Sequence, residues 1–96
     1  MPGITRCACD SAAEPSYWFY TVLTSDRAGL AAHLSRHGIA NSQAHRRNDH
    51  HSVFASSQRD LPGLDEFYGR MVHIPCGWWV DDAMRATIAE VIARGW

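Results

Sequence analysis

The chain has 96 residues, a net charge of −1 with neutral histidines, and a hydrophobic content of 46%. This length suits one small domain, and the apolar content excludes wholesale disorder. The low net charge gives no field for nucleic acid, and no apolar run approaches the ~20 residues that span a bilayer. Three cysteines do not read as a secreted disulfide framework, so we expect a cytoplasmic protein.

The first half of the chain predicts a strand, a helix and a second strand. Residues 1–15 contain Gly, Pro and short Ala-Cys runs without periodicity, and we expect them to form a poorly ordered leader. The aromatic and β-branched run 17–24 predicts a strand covered on both faces. Asp26 is placed to cap a helix over residues 27–37, which a following glycine would end. Residues 39–45 predict the second strand.

The second half predicts a long connection and then a helix, a strand and a helix. Residues 46–63 are polar, and connections of this length are often functional. Asp65 is placed to cap a short helix, and residues 72–74 predict a short strand. Asp81 is placed to cap the last helix, whose apolar stripe consists of Met84, Ile88, Val91 and Ile92. The order of elements predicts an α+β fold in which helices pack against a small sheet.

Several segments of this chain occur in an order and spacing shared with one enzyme family. They are the aromatic run 17–21, Gly38-Ile39, His45-Arg46-Arg47-Asn48-Asp49, Leu61-Pro62-Gly63-Leu64-Asp65, and Ile74-Pro75 ahead of Gly77-Trp78-Trp79. In these segments the chain resembles the C-terminal region of the pyridoxal-phosphate-dependent sugar aminotransferases of the DegT/DnrJ/EryC1/StrS family. The resemblance implies that residues 16–96 form the C-terminal small domain of a fold-type-I aminotransferase.

The same resemblance implies an activity for the complete enzyme, the transfer of an amino group from an amino-acid donor to a keto sugar. Its substrate would be a nucleotide sugar, and its cofactor, pyridoxal phosphate, would be held on a lysine as a Schiff base. All nine basic residues of this chain are arginine. We therefore expect the chain to shape the substrate cleft, to supply no catalytic residue and to bind no cofactor alone. A large aminotransferase domain or a homodimer partner would complete it.

The predicted substrate-binding residues lie at the start of the long connection. They are His45, Arg46, Arg47, Asn48, Asp49 and His51. A guanidinium fork recognises a carboxylate or a phosphate at two points, which suits an amino donor or a diphosphate. The residues alone leave open a solvated basic turn in which arginine pairs with Asp49 or Asp60. His50 and Ser52 depart from the family pattern, and a histidine in place of a permanent cation would make a charge contact pH-dependent.

Two other interpretations rest on different residues. Trp78 and Trp79 cannot both face the same core, so an apolar patch is expected, and the chain could be a non-catalytic interaction module. Such a module would pair with a separate large domain or form homodimers. The loop histidines with Cys76 lack the ligand spacing of a zinc site, and we predict no metal.

Overall fold

The computed structural model describes residues 1–96 as a three-stranded antiparallel sheet with three α-helices. The strands are β1 (Thr5–Arg6), β2 (Tyr20–Leu23) and β3 (Met71–Ile74), and the helices are α1 (Arg27–Arg36), α2 (Pro62–Arg70) and α3 (Asp82–Ala93). The strands lie in the order β1-β2-β3. This architecture confirms the predicted α+β fold. None of the helices has the length and apolar character that crossing a membrane requires.

One face of the sheet forms the hydrophobic core. Val22 pairs with Val72 and Tyr20 pairs with Ile74, and alternation along the strands places these four side chains on the same face. Helices α1 and α3 cover the centre of this face. The core residues are Val22, Leu30, Leu34, Ile39, Val72, Val91 and Ile92. Burying a side chain of this size stabilises the fold by about 1.5–3 kcal/mol, so this cluster dominates the stability.

Helix α1 follows the sequence prediction closely. The Asp26 carboxylate accepts a hydrogen bond from the Gly29 amide at 3.0 Å and caps the helix. Gly38 has a φ of +72°, which the absence of a side chain permits, and the Ile39 amide donates to the Leu34 carbonyl at 2.9 Å. Both predicted ends of the helix are confirmed.

The predicted strand over residues 39–45 is wrong. Only Ser42 pairs with β3, in a single bridge in which the Ser42 and His73 backbones exchange two hydrogen bonds of 2.8 and 3.1 Å. The next available donor, the Ala44 amide, bonds to the His73 ring nitrogen Nδ1 at 3.0 Å. Because a side chain takes this N–H group, the backbone ladder does not continue.

The aromatic run 17–24 forms a shorter strand than predicted. Only Tyr20–Leu23 pairs in the sheet, and the Trp18 side chain is 74% exposed, so the run is not covered on both faces along its length. The sequence predicts a leader without secondary structure over residues 1–15, yet Thr5–Arg6 form β1 and pair with β2. A two-residue strand carries no periodicity that a sequence pattern could reveal.

The last two helices differ from prediction in detail. Helix α2 begins at Pro62, ahead of the predicted Asp65 cap, because proline is well suited to a first helical position. Asp81 caps α3 as predicted and accepts from the Met84 amide at 2.8 Å. The predicted stripe of α3 is confirmed at Val91 and Ile92, which are buried. Met84, the first residue of the stripe, is 49% exposed and lies outside the core.

The C-terminal residue closes the fold against the start of α1. The Trp96 indole N–H donates to the Asp26 carboxylate at 3.2 Å. Gly3 and Gly29 lie against the indole ring, and a Cβ atom at either position would approach ring atoms to 2.7 or 2.8 Å. The ring therefore joins both ends of the chain to the N-terminus of α1.

Two glycines in helices provide a matched test of this contact. Replacing a helical glycine by alanine normally stabilises a protein by about 0.5–1 kcal/mol. A Cβ at Gly29 would lie 1.9 Å from Asp26 Oδ2, so the carboxylate must move and its cap, worth about 1 kcal/mol, is lost. Gly69→Ala enters open space. We expect Gly29→Ala to lower the free energy of unfolding measured in urea and Gly69→Ala to raise it. A stabilising Gly29→Ala would contradict this account.

His73 predicts a dependence of stability on pH. Its burial, and secondarily the charge of His45, lower the pKa of His73 below its ordinary value near 6.5. The unfolded chain therefore takes up this proton first, and the free energy of unfolding falls as pH drops through about 6.5. The loss is at most ~1.4 kcal/mol per pH unit. Urea unfolding at several pH values should show a weaker pH dependence for His73→Gln, whereas His50→Gln, in the exposed loop, should behave like the wild type. Equal pH profiles for all three proteins would refute this role.

Candidate functional site

The predicted long connection, residues 46–63, contains more regular structure than the sequence predicts. Two 3₁₀ turns occupy Asn48–His50 and Ser52–Ser57. Backbone hydrogen bonds of 3.0–3.2 Å support them, among them the Phe54 amide to the His51 carbonyl. The Gln58 side-chain amide donates to the backbone carbonyls of Asp49 and Phe54. The connection is thus held in one conformation by its own polar groups.

Arg47 fastens this connection to α2. Its Nε and Nη2 atoms donate to the two carboxylate oxygens of Asp49 at 2.9 and 2.8 Å, and its Nη1 atom donates to Asp65 on α2. The side chains of Arg47 and Asp49 are only 11% and 18% exposed. The guanidinium holds the pKa of Asp49 below its ordinary range, and the carboxylates of Asp49 and Asp65 raise the pKa of Arg47. The interpretation in which an arginine pairs with Asp49 is confirmed for Arg47.

Arg46 has a different environment from its neighbour. Its Nη2 atom donates to the His50 carbonyl at 2.9 Å, and the residue is exposed. No carboxylate pairs with it in this chain. A guanidinium carries five N–H donors, so most of its hydrogen-bonding capacity remains free for an anion.

A cleft of about 750 Å³ opens beside this connection. Five of the six predicted site residues line it, namely His45, Arg46, Arg47, Asn48 and His51. Asp49 does not line the cleft but pairs with Arg47. The Asn48 amide and the His45 and His51 rings make no hydrogen bond within the chain. The structure therefore brings together several polar groups with free hydrogen-bonding capacity.

Another part of the cleft lining is an aromatic wall formed by Trp18, Phe19 and His73. Trp18 stacks on Phe19 with ring centroids 4.4 Å apart, and Phe19 stacks on His73 at 4.7 Å with the ring planes 6° apart. His45 meets both Trp18 and Phe19 edge-on at 5.7 Å. The rings of Trp18, Phe19 and His73 form a stacked column. His73 is buried at one end of it, and Trp18 at the other end is exposed to solvent.

Sequence reasoning missed this aromatic wall. Trp18 and Phe19 belong to the aromatic run, but the sequence assigned them to a strand rather than to a cleft. His73 follows the core residue Val72, so alternation along β3 puts its ring on the opposite face of the sheet. The alternation along β3 was therefore the sequence signal that could have placed His73 on this face.

The aromatic wall of the cleft carries no charge. His73 is buried and its Nδ1 atom accepts a hydrogen bond, which requires an unprotonated nitrogen at that position. Its lowered pKa is consistent with this state. The permanently charged side chains that line the cleft are those of Arg46 and Arg47. No three His, Cys, Asp or Glu side chains lie close enough together to hold a metal ion.

Comparison with known proteins gives matches among solved structures alone. No family model matches the chain. No curated protein matches it either. The chain is similar to the sugar aminotransferase CalS13 from Micromonospora echinospora, with 40% sequence identity and a TM-score of 0.93 over 100% of this chain. It is also similar to AtS13 from Actinomadura melliaura, with 36% identity and a TM-score of 0.93 over 99% of this chain.

The matches include nearly all of this chain but only part of each solved chain. The chain covers 26% of the CalS13 chain and 26% of the AtS13 chain. The aligned part includes the sheet, the three helices and the connection that lines the cleft. Over its whole length, this protein is similar in sequence and fold to about a quarter of a sugar aminotransferase.

Proposed function

We propose that this chain is the C-terminal portion of a pyridoxal-phosphate-dependent nucleotide-sugar aminotransferase and forms one wall of its substrate cleft. The observation that carries the proposal is the similarity to CalS13 along the entire chain, at 40% identity. The cleft supports it, because free polar groups and two arginines face an aromatic wall there. A cytoplasmic location fits this function.

The residues of the cleft divide into two groups in this proposal. Arg46, Asn48, His45 and His51 contact the substrate, because their side chains line the cleft and are not consumed by internal ion pairs. Arg46 would meet an anionic group, either the diphosphate of the nucleotide sugar or the carboxylate of the amino donor.

Arg47 and Asp49 act mainly by holding this loop in place. Three N–H groups of Arg47 are engaged by carboxylates, which leaves two of five for a ligand. Asp49 keeps Arg47 oriented. We therefore propose that Asp49 influences substrate binding through Arg47.

The residues of this chain do not suit pyridoxal phosphate as a covalently held group. The cofactor supplies the transfer of the amino group, and its attachment requires a lysine amine. The nine basic residues here are all arginine, whose guanidinium stays protonated. The chemistry would then lie in a large domain, and this chain would bind and orient the substrate.

An interaction module without catalytic function is the second candidate. It is favoured by the exposed aromatic side chains, above all Trp78, which is 93% exposed. In that role the chain would pair with a separate large domain or with a second copy of itself. Aromatic side chains are enriched in protein interfaces, and this exposure is unusual for a monomer.

The absence of lysine leads to the first prediction from this proposal. When the purified chain is incubated with pyridoxal phosphate and reduced with borohydride, no side chain should acquire the cofactor, because no side chain carries a primary amine. Peptide mass spectrometry locates any adduct, and the α-amino group serves as the internal positive control. An adduct on a side chain would contradict the proposal that this chain contributes no attachment site.

A second prediction tests substrate binding in a hybrid enzyme. This chain would replace the matched quarter of CalS13, and the aminotransferase activity of the hybrid would be measured. The KM is measured for the sugar nucleotide and for the amino donor, and Arg46→Ala should raise one of the two about 10- to 100-fold, since a hydrogen bond to a charged group contributes about 1.5–3 kcal/mol. Its melting temperature should stay nearly unchanged because Arg46 is exposed.

Arg59→Ala is the matched control for this experiment. Arg59 is an exposed arginine of the same connection, it does not line the cleft, and its removal changes the net charge equally. It should leave KM unchanged. Equal effects of the two substitutions, or no effect of Arg46→Ala, would remove Arg46 from the substrate site.

A further inference from the structure

A second concave region lies on the core side of the sheet. It is a wedge of about 970 Å³ between the sheet and α3. Tyr20, Val22 and Ile74 line it from the sheet, and Ile88, Ala89 and Ile92 line it from α3. Most of its lining is apolar. None of the predicted substrate-binding residues lies in it, so the wedge is separate from the cleft.

The wedge exists because α3 packs against the sheet only near its C-terminal end. Val91 and Ile92 are buried in the core, Ile88 is half-buried, and Met84 is exposed. The side chains of Tyr20 and Ile74 are likewise only partly covered and pack at the border of the core. An apolar surface left open in this way favours occupation by another apolar group, because burial removes it from water.

The rim of the wedge includes Gly77 and two arginines. The wedge extends to Gly77, over which the Trp79 ring lies so closely that a Cβ atom there would approach it to 2.3 Å. Arg85 pairs with Asp82. The Arg6 backbone belongs to β1, but its guanidinium makes no hydrogen bond or ion pair within the chain and lines the same opening. The rim is therefore suited to an apolar segment that carries a carboxylate.

The dimensions of the chain also indicate a surface that is not fully covered. Its radius of gyration is 15.2 Å, whereas a compact domain of this length has a radius of about 12.5 Å. Only 11 of 96 residues are buried. Several large apolar side chains thus lack the cover that a self-contained domain would provide.

The matched structures indicate what provides this cover. In CalS13 and AtS13 a unit of the same backbone is accompanied by roughly three quarters of the chain. We infer that the wedge receives an apolar segment of the aminotransferase portion that this chain lacks, and that a carboxylate of that segment pairs with Arg6. This inference rests on the proposed function, and it names the surface through which the two portions join.

The test compares the full chain alone with the hybrid in which it replaces the matched quarter of CalS13. Hydrogen exchange followed by mass spectrometry reports on the wedge. Peptides from Ile74 to Val80 and from Ile88 to Ile92 should exchange more slowly in the hybrid than in the chain alone. Aminotransferase activity is measured separately, so wedge protection without activity would reject the proposed function and retain the interface.

Two substitutions on α3 provide the matched comparison. Ala89 lines the wedge, whereas Ala86 is exposed and does not. Ala89→Glu should lower the melting temperature of the hybrid by several degrees, because a carboxylate would enter the apolar interface. Ala86→Glu should not, and the isolated chain should tolerate both changes since its wedge is open to water.

Several outcomes would overturn the inference. One is that the wedge peptides gain no protection in the hybrid, and another is that Ala89→Glu and Ala86→Glu have equal effects there. A hybrid that is insoluble or melts in two independent transitions would equally reject docking of this surface. Sedimentation of the chain alone tests whether a second copy occupies the wedge. A stable dimer whose wedge peptides are already protected would assign the surface to that second copy and overturn the inference.

Discussion

The pairing of β2 with β3 is the constraint on which the rest of this structure depends. Its register places Val22 beside Val72 on one face, where α1 and α3 complete the core, and Thr21 beside His73 on the other. His73 then binds the backbone of Ser42 and Ala44 and stacks on Phe19. One pair of four-residue strands therefore supports the core on one side and positions the start of the cleft on the other.

The two neighbouring arginines near the cleft have different partners. The ion pairs of Arg47 with Asp49 and Asp65 hold the connection against α2, and they leave this guanidinium largely occupied. Arg46 and Asn48 lie in the same short segment and have no such partners. Because one arginine stabilises the loop, the adjacent one can remain available for an anionic ligand. Two neighbouring residues of the same type thus differ in their environment through their partners alone.

The exposed apolar surface connects the fold with the comparisons. A small sheet covered by two helices on one face buries few residues, and the open wedge and the exposed tryptophans follow from that limit. A unit that occurs as a quarter of a longer chain does not have to cover these surfaces itself.

The sequence by itself determined the local features, namely the α+β class, the caps at Asp26 and Asp81, the end of α1 at Gly38 and the position of β3. These depend on residues that are neighbours in the chain, so their chemistry is visible without a structure. Tertiary structure alone decided that residues 39–45 form one bridge, because His73 takes the Ala44 amide. It also decided that Arg47 is paired while Arg46 is not, and that Trp18, Phe19 and His73 form a wall. Such outcomes depend on contacts between residues that are far apart in the sequence, and a local sequence pattern does not specify those contacts.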